Sequence, residues 1–166
     1  MRPAAPAHGT GRLDLDARLR FERFVTGIAA RLLELPAQTV EQEVLRSLEG
    51  LLDALDVDRC GIALFDDSTP DLVTRLSVSR PGIPTMPAVD LAPLLPWYAR
   101  EVRAGRTLAH ARLPEDLPAE AGAEADCVRR SGMKAQVTVP MRVGGEAQGS
   151  LGCAVFRESR AWDPRI

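Results

Sequence analysis

Apolar residues recur along this chain at periods that change, and each change marks an element. Phe21, Phe24, Val25, Ile28, Leu32 and Leu35 fall at spacings of three and four, one stripe of a helix over residues 13–35 that Pro36 closes. Thr39, with Gln42 three residues on, reads as a capping box. It opens a second helix whose buried face carries Val40, Val44, Leu48, Leu51, Leu52 and Leu55. The period then falls to two. Residues 59–65 (RCGIALF) predict a strand apolar on both faces. Residues 72–79 (LVTRLSVS) set Leu72, Thr74, Leu76 and Val78 against Val73, Arg75, Ser77 and Ser79, a one-sided strand. Pro96 suits the first turn of a short helix over 97–104 that Gly105 stops. A short strand over 107–110 and a helix over 119–131, ended by Gly132, complete this part.

The strongest pattern lies at residues 134–158, KAQVTVPMRVGGEAQGSLGCAVFRE. Val137, Val139, Met141 and Val143 alternate with Thr138, Pro140 and Arg142, and Gly144-Gly145 can take the positive φ angles of a tight hairpin turn. The return run, Leu151, Cys153 and Val155 interleaved with Gly152, Ala154 and Phe156, is apolar on both sides, as in a strand covered on both sides. Pro140 cannot donate to a ladder and predicts a bulge or an unpaired position. Consecutive strands without helices between them predict an α+β fold: a central antiparallel sheet of about six strands with helices on both faces.

Residues 80–96 interrupt this order. Five prolines stand among Met86, Val89, Leu91, Leu94 and Leu95, a pattern that fits either a binding loop or a stiff wrap over the edge of the core. The proline- and alanine-rich residues 1–12 predict a flexible tail, residues 13–158 one domain, and residues 159–166 the start of a linker or helix leading to an output domain in a longer parent protein.

Composition narrows the class further. The 166 residues carry a formal charge of -2 with the arginines dispersed, so charge gives no case for nucleic acid. No 18-residue apolar run predicts a membrane span. Cys60, Cys127 and Cys153 form no CxxC pair, which argues against a disulfide framework or a zinc site and fits the reducing cytoplasm. No cofactor is required by any motif.

The run DVDRCGIALF at 56–65, RTLAH at 106–110, SGMKAQVTVPMRVGGEAQGSLGCAVF at 131–156 and the closing RAW at 160–162 together resemble the GAF domain, a sensory relative of the PAS fold. The resemblance spans about residues 21–162. It implies a six-stranded antiparallel sheet, a helical layer used for dimerisation, and a pocket on the other face that sometimes holds a small ligand. It further implies a regulatory role ahead of a histidine kinase, cyclase or transcriptional regulator. Phe21, Phe24, Ile28 and Leu32 would then join a homodimer, although the same stripe packs equally well on its own sheet.

The candidate pocket comprises Leu76, Arg80, Trp97, His110, Val128 and Met133, apolar walls with one or two polar groups. His110 has no partner at metal-ligand spacing. Cys60 and Cys153 read as small buried hydrophobes, and Cys127 as an inert helical thiol. Related classes fit less well. The cysteine stretches of free methionine sulfoxide reductases are absent, and Lys134, the sole lysine, rules out the Asn-Lys signature of cyclic-nucleotide binders. His110 is followed by Ala111-Arg112-Leu113, without the cysteine that bilin attachment needs. The expectation is a non-catalytic small-molecule sensor. A ligand-free dimerisation module is the alternative, and a cysteine-based reductase a more distant one.

Overall fold

The structure is a computed structural model that describes residues 39–66 and 71–162. The expected dimer helix with Phe21, Phe24, Ile28 and Leu32 lies outside these residues, as does the expected tail. The described elements are α1 (Val40–Ala54), β1 (Arg59–Phe65), β2 (Leu72–Ser79), α2 (Pro96–Arg103), β3 (Leu108–His110), α3 (Gly122–Ser131), β4 (Ala135–Val143) and β5 (Glu146–Val155). The strands form one sheet in the order β2-β1-β5-β4-β3, with every neighbouring pair antiparallel. Helices cover both faces, α1 on one and α2 with α3 on the other.

The β4–β5 hairpin sits at the centre, as its alternation predicts. Val143 and Glu146 close a two-residue turn in which Gly144 and Gly145 have φ of 61° and 90°. Two glycines take such angles in succession without strain. Pro140 stands in the ladder opposite Ser150, and the irregularity falls one step later, between Met141 and Arg142. The missing N–H costs little there, because β3 pairs with β4 only from Gln136 to Thr138 and leaves that edge unflanked.

Five strands form among the described residues, and the sixth position is only started. Asp90 makes a single antiparallel bridge to Val73, with Thr74 N–H bonded to Val89 O and Leu91 N–H to Leu72 O. Pro87 and Pro93 flank this contact and keep it from lengthening. The proline-rich segment therefore wraps the outer edge of β2.

One face of the sheet carries Cys60, Val78, Val137, Cys153 and Val155 against Leu48, Leu51 and Leu52 of α1. Thr39 precedes α1 but makes no side-chain capping bond, so the expected capping box does not form. The other end of α1 is held by distant arginines. Arg80 donates to Leu52 O at 2.8 Å and Val57 O at 2.9 Å, and Arg160 to Leu55 O at 2.6 Å. These bonds add donors to carbonyls at and just beyond the helix C-terminus, where intrahelical partners run out. Asp58, 2% exposed, joins the start of β1 to the end of β5 by accepting from Phe156 N–H at 2.7 Å and Arg157 Nε at 2.8 Å. Trp162 does not open a helix within the described residues. Its indole N–H is bonded to His110 O at 3.0 Å, and the side chain packs on the α1-side core.

Candidate functional site

The two faces of the sheet differ in side-chain size, and that difference makes a cavity. Across the face turned to α2 and α3, one row runs Gly61, Gly152, Thr138, and its neighbours run Ala63, Ser150 and Arg59, Ala154, Gln136, His110. Glycine, alanine, serine and threonine are too short to reach the helices above. A cavity of about 230 Å³ remains over this floor. Met86, Leu91 and Leu95 of the proline-rich segment wall one side, and Leu113, Leu117, Val128 and Met133 another.

Polar groups enter this apolar space at few points. Tyr98 of α2 is buried, and its hydroxyl lies 3.3 Å from Ser150 Oγ and accepts from Thr138 Oγ1 at 3.4 Å. Burial pushes the Tyr98 phenol above its ordinary range, so it stays a neutral donor and acceptor. Burial likewise lowers the His110 imidazole against the opposing pull of Asp116, which favours its neutral form. Arg59 reaches the cavity rim, where it donates to Pro84 O at 3.2 Å and lies 4.8 Å from the Phe156 ring centroid.

Glu124 on α3 is 4% exposed. Its Oε1 accepts the Tyr98 N–H at 3.1 Å, which caps the first turn of α2 from a neighbouring helix. Glu124 Oε2 and Thr74 Oγ1 are buried and have no hydrogen-bond partner, and both residues line the cavity.

Of the residues singled out from sequence, His110, Val128 and Met133 line this cavity. Leu76, Arg80 and Trp97 are placed elsewhere. Leu76 lies opposite Ile62 while Thr74 lies opposite Ala63, so Arg75 is an extra residue that bulges β2. The bulge turns Thr74 to the cavity and Leu76 to the α1 core, which strict alternation cannot foresee. Arg80 is spent on the carbonyls at the end of α1. Trp97 packs in the core behind His110, the ring centroids 5.9 Å apart.

Tyr98, Glu124, Thr74, Ser150 and Gly152 were not anticipated. Two signals were available: the small residues at alternate positions of β5, and an acid at Glu124 one helical turn before Val128, on the buried stripe of α3. The cysteines hold one surprise. Cys60 and Cys153 are opposite each other in the β1–β5 ladder, with sulfurs 3.3 Å apart, in the core shared with α1. The hydrogen bond to Cys153, then burial, push the Cys60 thiol up and hold it protonated, while the same hydrogen bond pulls the Cys153 thiol down. Cys127 is half-buried on α3. Among the described residues no group of three His, Cys, Asp or Glu side chains is placed to hold a metal ion, and no helix is long and apolar enough to cross a membrane.

No family model matches the sequence, and no curated protein matches it either. Solved structures do. The phycocyanobilin-bound GAF domain from a cyanobacterial phytochrome superposes with a TM-score of 0.69 at 14% identity, over 87% of this chain and 84% of that one. The chain has the GAF fold. The phycoerythrobilin-bound GAF domain from a cyanobacterial phytochrome gives 0.67 at 17% identity, over 86% and 83%. The blue-light-absorbing form of the Thermosynechococcus elongatus PixJ GAF domain gives 0.55 at 18% identity, over 71% and 70%. At these identities the likeness bears on GAF architecture alone, and it agrees with the sheet order and two-sided helical cover described above.

Proposed function

We propose that this GAF domain is a non-catalytic small-molecule sensor within a signal-transduction protein, working by a shift between two packings when its cavity is filled. The observation that carries the reading is the floor of short side chains beneath α2 and α3, which leaves about 230 Å³ where a core would otherwise close. A packed interior leaves few voids of that size without a use. The named neighbours, two of them bilin-bound, lend support, since they hold small molecules on the same architecture. The stretch His110-Ala111-Arg112-Leu113 offers no cysteine for attaching a bilin beside that histidine, so a bilin attached there is not part of the reading.

In this reading α2 and α3 move with the ligand they cover, and the sheet transmits the change to the helix expected at residues 13–35. A homodimer through that helix, and an output domain of kinase, cyclase or transcriptional-regulator type beyond residue 166 in the cytoplasm, complete the proposal. Native mass spectrometry of the chain purified from cells tests it. The expected result is a mass excess released on denaturation and lost in a Gly152→Leu variant that fills the floor. Bare protein mass, with no change of melting temperature across a metabolite library, would refute it.

A further inference from the structure

Two buried oxygens on the cavity wall lack partners, and they are of different kinds. Thr74 Oγ1 lies on the sheet and Glu124 Oε2 on α3. Buried polar atoms are nearly always satisfied, so two exceptions around one space call for an account. The cap on α2 explains only half of Glu124. It uses Oε1, through the Tyr98 N–H, and needs nothing from Oε2. An ionised carboxylate is an acceptor only, and a buried one without a counter-charge is costly. The arginine that lines the cavity, Arg59, is engaged with Pro84 O and the face of Phe156. Apolar side chains make up most of the remaining wall.

We propose that the cavity takes a small molecule with a protonated amine on an apolar body. The ammonium donates to Glu124 Oε2, the body lies over Gly61, Ala63 and Gly152, and Thr74 Oγ1 meets a second polar atom. The proposal rests on reading the cavity as a ligand site and adds the chemistry of the ligand. A charged donor is favoured over a neutral one because hydrogen bonds between ions are about twice as strong as neutral ones and because the ammonium cancels the buried charge.

Three probes of like size separate the possibilities: phenethylamine, 2-phenylethanol and phenylacetate, titrated into the whole chain by calorimetry and by saturation-transfer NMR. Phenethylamine should bind about tenfold more tightly than 2-phenylethanol, and phenylacetate most weakly. Glu124→Gln should bring the amine and the alcohol to within about twofold of each other, while Gly152→Leu should abolish all three. Equal binding of amine and alcohol, or a preference for phenylacetate, overturns the amine assignment and leaves the cavity as a ligand site. A partner no more specific than water at Oε2 gives that same equal binding. Absence of binding by all three at millimolar concentration overturns both readings. If Glu124→Gln does not fold, the order of the three probes on the unmodified chain decides alone.

Discussion

Two glycines in one row of the sheet provide a test of the cavity that needs no ligand. Gly61 and Gly152 are opposite each other on β1 and β5. Neither takes a left-handed φ, so a side chain at either is limited by space alone. At Gly152 an added Cβ would meet Thr138 Oγ1 at 3.7 Å and Tyr98 OH at 3.8 Å, ordinary contact distances. At Gly61 it would meet the backbone Leu76 O at 3.0 Å, and that carbonyl is held in the bulged stretch of β2. Replacing a strand glycine by alanine gains roughly 0.5–1 kcal/mol in backbone entropy. At Gly152 the methyl enters open space, so the expected net stabilisation is roughly 0.5–1 kcal/mol, a rise in Tm of about 1–4 °C for a domain of this size. At Gly61 overpacking against a backbone atom costs about 1–3 kcal/mol, which exceeds the gain and gives net destabilisation of about 1 kcal/mol. Urea unfolding of the two variants, with slopes equal to that of the parent chain, measures both. Equal destabilisation in the two would refute the open floor, because the space above Gly152 would then be filled by the protein itself.

Other outcomes follow from buried groups. Burial lowers the His110 pKa, so the folded chain binds fewer protons than the unfolded chain between the two pKa values. Stability is then complete above about pH 6.5 and declines as pH falls towards the folded pKa. Urea midpoints at pH 7.5 and 5.5 should differ less in His110→Phe than in the parent, and an unchanged difference would count against the lowered imidazole pKa. Ellman's reagent should modify Cys127 promptly in the native chain, and Cys60 and Cys153 only on unfolding, given exposures of 1% and 4%. Prompt reaction of all three thiols would show that the α1 core opens. Asp58→Ala removes the acceptor of the Phe156 N–H and of Arg157, and should cost about 2–3 kcal/mol in a urea titration. A loss below about 0.5 kcal/mol would mean that the two N–H groups find water instead.

Much of the architecture is legible in the sequence because it rests on local rules. The Gly144-Gly145 corner, the alternation on either side of it and the Pro96 and Gly132 helix boundaries depend on a few neighbouring residues, and the structure has each of them. Misplaced residues come from contacts that sequence spacing does not carry. The bulge at Arg75 depends on how β2 must curve against β1, and it reverses the faces of Thr74 and Leu76. Arg80 reads from the sequence as one of the few polar groups of an apolar pocket wall. It serves instead carbonyls that lie 28 and 23 positions earlier in the chain.

The cavity itself is a further case, since it arises from what the side chains lack. Apolarity on both faces of β5 predicts cover on both faces, which is correct. It says nothing of reach, and Gly152 and Ala154 on one side do not fill what Cys153 and Val155 fill on the other. Helices laid on a floor of short residues leave a gap unless their own side chains are long. Val128 and Tyr98 reach inward, but Tyr98 spends its length on Ser150 and Thr138. Glu124 then places a carboxylate oxygen beside the gap with nothing to bond. Leucine in its place would fill space and remove that oxygen, but would leave the Tyr98 N–H at the start of α2 without its acceptor. A carboxylate oxygen facing an open volume suits a binding site, and a Glu124→Gln variant that keeps the Tyr98 cap and the parent's stability yet loses the preference for phenethylamine would separate the two roles.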